Sequence, residues 1–444
     1  MRSRSKAQGR TYTDLIITKN LPKSPAAYDP LAKVYGQSSV LICYQPPNMF
    51  RALGHGLATQ TDNQKWAKRR KIFNPAFHRS SLKDMMSDFN SSTDLFIEKL
   101  LEKADGKTEV VMVEEFARAT LDVICKVAFG TDLNIIKDPN CKFTEDVTTM
   151  LEGMYEASLD PFGWLKPYKW RHLWKVRNAI SSIRQTGRKI IEVRQLAINH
   201  GEQVPNDILQ RTLAIAVHSH VFYHLNPYMY LEEDPTADIE DMLDEFVTFF
   251  IAGHETTANK LAFCLMELGD HEDIQKRLEQ EVFEVLGDRT DVHFDDLAKM
   301  HQIGETLKET LRLYPSATGT LRITEKEETM EGILVPAGTN LIFSSFIMGR
   351  YPEYWTNPED FNPLRFEEEE REKRSHFTYF PFSLGPRNCI GQHFAQIEAK
   401  VLLSRFIQTF KFRLVPGQTK EIVDRVTIRP RDGVICTLIK RHKP

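Results

Sequence analysis

Ten residues near the C-terminal end, Phe382-Ser-Leu-Gly385-Pro-Arg387-Asn-Cys389-Ile-Gly391, restrict the fold of this 444-residue chain more than any other stretch. Two glycines and a proline force a tight loop, and Gly385 allows backbone angles that other residues avoid. An apolar helical pattern starts at Ile390 and runs to Thr409, so the cysteine stands at a helix N-terminus. There the helix dipole favours a thiolate over a thiol. Any fold that carries this window must present one reactive sulfur at the head of a buried helix. A lone cysteine beside a loop is ordinarily a buried structural residue. Five specified residues in a window of ten argue instead for a built site.

Most of the remaining chain reads as helix. Gln64 to Arg70 predicts a basic helix broken near Asn74-Pro75, followed by helices over Ser81 to Lys103 and Glu114 to Phe129. Residues 142–157, 171–199, 205–217, 239–268, 271–286 and 294–314 continue the pattern, the last stopped by Pro315. Strand signals come only later, at Thr318 to Thr324, Gly332 to Pro336, Asn340 to Phe343, 411–415 and 425–438. The expected class is mainly α with a small β part.

Phe246 to Leu268 is apolar enough to suggest a membrane span, but His254, Glu255 and Lys260 interrupt it. A buried core helix is the better reading. Residues 1–60 show no sustained period and read as an irregular, divergent segment, with 61–444 as the main domain. No apolar stretch follows the basic residues Arg2, Arg4, Lys6 and Arg10, so neither a signal peptide nor an anchor is expected there. Thr212 to Leu231 reads as an inserted loop. Its histidines His218, His220 and His224 have no carboxylate or cysteine at metal-ligand spacing. The run Glu367 to Arg374 reads as a solvated charged loop.

With 58 Lys+Arg against 61 Asp+Glu the net charge is −3, which excludes a nucleic acid or other polyanion as the general partner. The six cysteines contain no CxxC pair and make no disulfide framework, which fits a reducing compartment.

The window around Cys389 resembles the haem-binding loop of the cytochrome P-450 monooxygenases, and other signatures of that family follow in the right order. They are Ala252-Gly253-His254-Glu255-Thr256-Thr257, the pair Glu309 and Arg312, the segment Phe361-Asn-Pro363-Leu-Arg365-Phe366, and the pair Trp66 and Arg70. The resemblance implies a heme b whose iron takes the Cys389 thiolate as axial ligand. Phe382 would cover the sulfur, Gly385 and Gly391 would shape the loop, and Arg387, Trp66, Arg70 and Arg322 would hold the haem carboxylates. Gly253 and Ala252 would line the space over the haem. Thr256 would hold dioxygen by a hydrogen bond, and Glu255 would feed protons through water. Glu309, Arg312 and Arg365 would form a buried ionic cluster supporting the loop. Electrons would come from NADPH through a reductase docked on the basic face at Lys65, Lys68, Arg69 and Lys71.

The stretches 246–259, 307–315, 378–392 and 412–418 are similar to the sterol side-chain hydroxylases of the family, and its fatty-acid hydroxylases share the GPRNCIGQ loop. A lipophilic substrate and attachment to the cytosolic face of the endoplasmic reticulum membrane are implied. The family normally begins with a membrane helix and early strands. Neither is recognisable in residues 1–45, so a haem-binding variant without turnover is the second expectation.

Overall fold

The computed structural model describes residues 53–441 apart from 161, 206, 211–212, 214–238 and 331–332. The irregular segment before residue 53 and nearly all of the inserted loop therefore lie outside the described residues. The longer helices are α1 (Asn63–Phe73), α2 (Met86–Leu101), α3 (Met112–Phe129), α4 (Lys142–Leu159), α5 (Trp170–Asn199), α6 (Ile239–Asp270), α7 (Glu272–Leu286), α8 (His301–Leu313) and α9 (Gln392–Thr409). The strands are β1 (Asp105–Val111), β2 (Thr320–Ile323), β3 (Glu328–Met330), β4 (Ile333–Val335), β5 (Asn340–Phe343), β6 (Phe410–Leu414), β7 (Ile422–Asp424), β8 (Ile428–Pro430) and β9 (Ile435–Lys440). The chain is mainly helical with small sheets, as its periodicity predicts.

Local chemistry sets the ends of these elements. Asp62 caps α1 by accepting from the N–H groups of Gln64 and Lys65 at 2.8 and 3.1 Å. Asn74-Pro75 then converts the chain into a 3₁₀ turn, Asn74–Phe77. Gly130 ends α3 with φ +57°, the left-handed cap that glycine adopts without strain. The helix expected over Ser81 to Lys103 is instead two, Arg79–Asp84 and α2, because the backbone leaves helical geometry at Met85. The charged run expected as a loop forms a helical turn, Glu368–Glu372, with all its side chains in solvent. Its last arginine, Arg374, turns inward and lies over the Trp355 ring at 4.3 Å.

α6 runs through the core, with the residues from Leu261 to Leu268 all buried. α3 packs against it closely enough that a Cβ on Gly253 would meet Ile124 at 2.9 Å. Thr120 of α3 also donates to the His254 carbonyl at 2.9 Å. Phe129, Phe246, Phe250 and Phe143 form an aromatic layer joining α3, α6 and α4. The largest sheet has the order β1–β9–β6, all antiparallel, with Cys436 opposite Val110 on one side and Leu414 on the other. β2 pairs with β5, β3 with β4, and β7 with β8. None of the described helices is long and apolar enough to cross a membrane.

Candidate active site

Between Met242 and Leu268, α6 is buried at every position except Ala252, Gly253, Glu255 and Thr256. A helix that is covered all round has one opening, and the opening coincides with the Gly-His-Glu-Thr segment. Ala252 is exposed there, and Thr256, one turn on, donates its hydroxyl to the Ala252 carbonyl at 2.7 Å. Ser316 donates to the Thr256 carbonyl at 2.7 Å. His254 points the other way, buried, with Nδ1 3.0 Å from the Phe250 carbonyl. Burial lowers its pKa to about 4, so it is neutral at physiological pH. Burial has the opposite effect on Glu255, pushing its carboxyl up to about 7 against Thr427, Arg429 and Arg425, which favour its charged form.

The Cys389 loop is built as its residues predict. Gly385 has φ +77°, and Ser383 also takes a left-handed φ of +61°, a conformation that costs a non-glycine residue energy and marks a tightly determined turn. The Cys389 N–H donates to the Phe382 carbonyl at 2.8 Å and closes the loop. α9 begins one residue after Gly391. The sulfur is exposed, yet burial is the largest influence on its pKa and raises it. The Gly391 N–H and the Arg70 cation act in the other direction and favour the thiolate. A Cβ on Gly391 would meet nothing in the polypeptide closer than Cys389 Sγ at 3.9 Å and Phe77 at 4.0 Å. The chain's own packing does not require glycine there.

Three guanidiniums lie around this loop. Arg70 donates to the Asn388 carbonyl and side chain at 2.6 and 3.0 Å and to Asn74 at 2.8 Å. Arg387 stacks over Trp66 at 4.4 Å and donates to the Gln60 carbonyl and to Asn63, each at 2.8 Å. Arg322 bonds the Thr320 hydroxyl at 2.7 Å. Burial, and then the charge of Arg322, lower the pKa of Arg387, so the two cations sense each other. None of the three has an ion pair with a carboxylate among the described residues. Clustered cations without acids are a receptor for an anionic group, which fits the carboxylates of a haem.

Glu309 and Arg312 are buried at the centre of a network. Arg312 holds both Glu309 oxygens, at 2.7 and 2.8 Å, and caps the carbonyls of Gly349, Pro358 and Asp360. Arg365 lies 3.4 Å from Glu309, and the Asn362 N–H donates to the same carboxylate at 2.8 Å. Tyr379, on the segment entering the Cys389 loop, packs against Phe366 and donates to the Lys308 carbonyl at 3.1 Å. The cluster thus sits directly behind the loop.

One expectation is corrected. Arg69 is not on a basic surface. It is three residues past Trp66, hence on the buried face of α1, and pairs with Asp241 and Glu245 of α6 at 2.5 and 3.3 Å. Lys65, Lys68 and Lys71 are exposed on the same helix. Asn388, Phe77 and Asn259 also belong to the site's surroundings. Asn388 and Asn259 lie inside the stretches quoted above without having been singled out, and Phe77 lies in none of them; each works through its place in the fold.

The Cytochrome P450 family profile matches residues 45–437. "Cytochrome P450 4d2" of Drosophila melanogaster is 31% identical over 396 residues, covering 86% of this chain and 77% of that protein. "11-oxo-beta-amyrin 30-oxidase" of Glycyrrhiza uralensis is 31% identical over 389 residues, covering 86% and 72%. "Cytochrome P450 3A29" of Sus scrofa is 28% identical, covering 84% and 75%. The fold is similar to that in the "Crystal structure of cytochrome P450DA heme domain", with a TM-score of 0.80 at 23% identity, over 90% of this chain and 83% of that one.

Proposed function

The chain belongs to the cytochrome P450 family, and from that premise we propose that it is a haem-thiolate monooxygenase acting through Cys389 on a sterol. The carrying observation is the exposed Cys389 at the head of α9, with the Arg70 cation acting on it and Arg387 and Arg322 close to each other, none of the three ion-paired with an acid among the described residues. A bound haem with thiolate ligation supplies oxygen activation, since the thiolate pushes electron density that favours O–O cleavage. The electrons come from NADPH through a reductase, for which the exposed Lys65, Lys68 and Lys71 offer a basic face.

The chain's own residues hold and orient. The Gly391 N–H and the Arg70 cation favour the charged form of the Cys389 sulfur, against burial, which raises its pKa. Trp66 fixes the Arg387 fork by stacking, and Asn388 fixes that of Arg70, so both cations are pre-set for carboxylates. Ala252 leaves open space on α6 where substrate must approach. Glu255, titrating near neutrality, can release and regain a proton at its carboxyl, and the Thr256 hydroxyl beside it can pass one on.

The sterol reading rests on resemblance. FVTFFIAGHETTAN, LKETLRLYP, TYFPFSLGPRNCIGQ and FRLVPGQ look very like cholesterol 24-hydroxylase. A fatty-acid hydroxylase is the alternative. Turnover with cholesterol and with a long-chain fatty acid, given a reductase, separates them. We expect a side-chain hydroxysterol; a hydroxylated fatty acid alone would replace this reading. Haem loading without either product would favour the non-catalytic variant.

Membrane association has support in the connection from α4 to α5 and the first turns of α5. Phe162, Trp164, Leu165, Tyr168, Trp170 and Trp174 are each more than half exposed, interleaved with exposed Arg171, Lys175 and Arg177. Aromatic and basic side chains together suit the interface of an anionic bilayer. Co-sedimentation with phosphatidylserine vesicles is expected for the parent protein and reduced for a Trp164→Ser, Trp174→Ser variant. Equal binding of both would refute this surface.

A further inference from the structure

Residues 54–60, just before α1, form a turn closed on itself. The Gln60 N–H donates to the Gly56 carbonyl at 2.9 Å, and the Thr59 hydroxyl to the Gly54 carbonyl at 2.8 Å. The turn lies on α6 closer than side chains would allow. A Cβ on Gly56 would meet the Thr248 hydroxyl at 2.1 Å and the Asp244 carbonyl at 2.8 Å, and one on Gly54 would meet the Asp244 carboxylate at 1.9 Å. Gly54 also takes a left-handed φ of +52°, open to glycine without strain. Three ionic side chains hold the turn there, and they grip its backbone. Asp244 accepts from the His55 N–H at 2.7 Å, Glu245 accepts from the Leu57 N–H at 2.9 Å, and Arg69 of α1 donates to the His55 carbonyl at 2.6 Å.

Asp244, Glu245 and Arg69 are all buried, Glu245 completely. Apolar side chains would join α1 to α6 without the desolvation penalty that buried charges carry. They could not accept backbone N–H groups, and that is the work the two acids do. Arg69 bonds the second oxygen of Glu245 at 3.3 Å, and Arg184 of α5 bonds the second oxygen of Asp244 at 2.8 Å. Neither acid is left uncompensated. The two ends of the turn give it a place in the site. Gly56 rests on Thr248, one helical turn before Ala252 and the opening of α6. The Gln60 carbonyl accepts from Arg387, two residues before Cys389, at 2.8 Å. A segment anchored at both points borders the space between them.

We infer that Asp244 and Glu245 are positioning residues for the substrate: by holding the 54–57 backbone down on α6 they fix one wall of the space over Ala252. The inference rests on the proposed function, which puts a lipophilic substrate in that space. The two acids stand outside the chemistry, so they govern how tightly substrate is held and not how fast bound substrate reacts. Three variants separate the causes. Gly56→Ala lifts the turn without altering an acid, Glu245→Ala removes an acceptor, and Glu245→Gln keeps an oxygen for the Leu57 N–H.

Each is measured as the holoprotein, by amide hydrogen exchange and by steady-state turnover of cholesterol with a reductase. We expect the 54–60 amides to exchange about tenfold faster or more in Gly56→Ala and Glu245→Ala, the effect of losing a hydrogen bond to a charged group. Glu245→Gln should exchange near the parent rate. In the first two variants KM should rise about tenfold with kcat within about twofold of the parent. Unchanged exchange in both, or a Glu245→Gln variant no better than alanine, would overturn the inference. So would faster exchange with KM unchanged, or with kcat reduced as much as KM is raised. A parent that turns over neither cholesterol nor a long-chain fatty acid would count against the proposed function alone. Affinity for phenylimidazole, an apolar ligand for haem iron, then takes the place of KM: weaker binding in Gly56→Ala and Glu245→Ala supports the wall, and equal binding overturns it.

Discussion

Cys389→Ser is expected to abolish all measurable monooxygenase turnover while leaving the fold intact. The sulfur is exposed and fills no core position, so an oxygen in its place opens no cavity. Ser383, Gly385 and the Cys389 N–H shape the loop, and none depends on the sulfur. What is lost is the ligand. A serine hydroxyl stays protonated where the Gly391 N–H and Arg70 favour a thiolate. Cys436→Ser should behave in the opposite way. Cys436 is fully buried in β9 between β1 and β6, and its thiol is pushed up to about 12 by burial. A hydroxyl there costs about 1–3 kcal/mol of stability but leaves turnover per folded molecule unchanged. Turnover and a urea midpoint measured on both variants give the comparison. Equal loss of turnover in the two would refute the ligand assignment.

Glu309→Ala should be strongly destabilising, at about 3–5 kcal/mol. It leaves Arg312 charged in the core, bonded only to the Gly349, Pro358 and Asp360 carbonyls, and it removes the partner of Arg365. Against a typical total of about 5–15 kcal/mol, the loss should release the Tyr379 segment and with it the Cys389 loop. Haem retention is expected to fall together with the denaturation midpoint. The chain contains its own control. Glu368 and Arg371 repeat the same spacing at 3.8 Å on an exposed turn, and Glu368→Ala should change stability by no more than about 0.5 kcal/mol. A small effect at Glu309 would mean that the cluster does not support the loop.

That pair also shows what could be read from sequence. Spacing placed Glu309 and Arg312 on one helix face, but nothing in the spacing distinguishes a buried pair from a solvated one; family resemblance did. The helices of the core were legible because apolar residues recur at helical period, as in α3, α4 and α5. β1 was not, since Asp105–Val111 is mostly exposed and gains its partner, β9, from the far end of the chain. The Cys389 loop was legible because glycine, proline and cysteine each carry local backbone or chemical meaning. Asn259 and Thr427 were invisible, being 168 positions apart and ordinary in type. Arg69 misled for a related reason. Beside Lys65, Lys68 and Lys71 it reads as part of a charge cluster, whereas its helix face delivers it to acids on α6.

The most direct measurement of the central claim is the absorption spectrum of the purified parent protein, reduced and treated with carbon monoxide. A Soret band displaced far to the red, the mark of thiolate ligation, is the predicted result. It should be retained in Cys436→Ser and lost in Cys389→Ser. A parent protein that retains haem but shows the band of a nitrogen-ligated iron, or one that keeps the displaced band without Cys389, would contradict it.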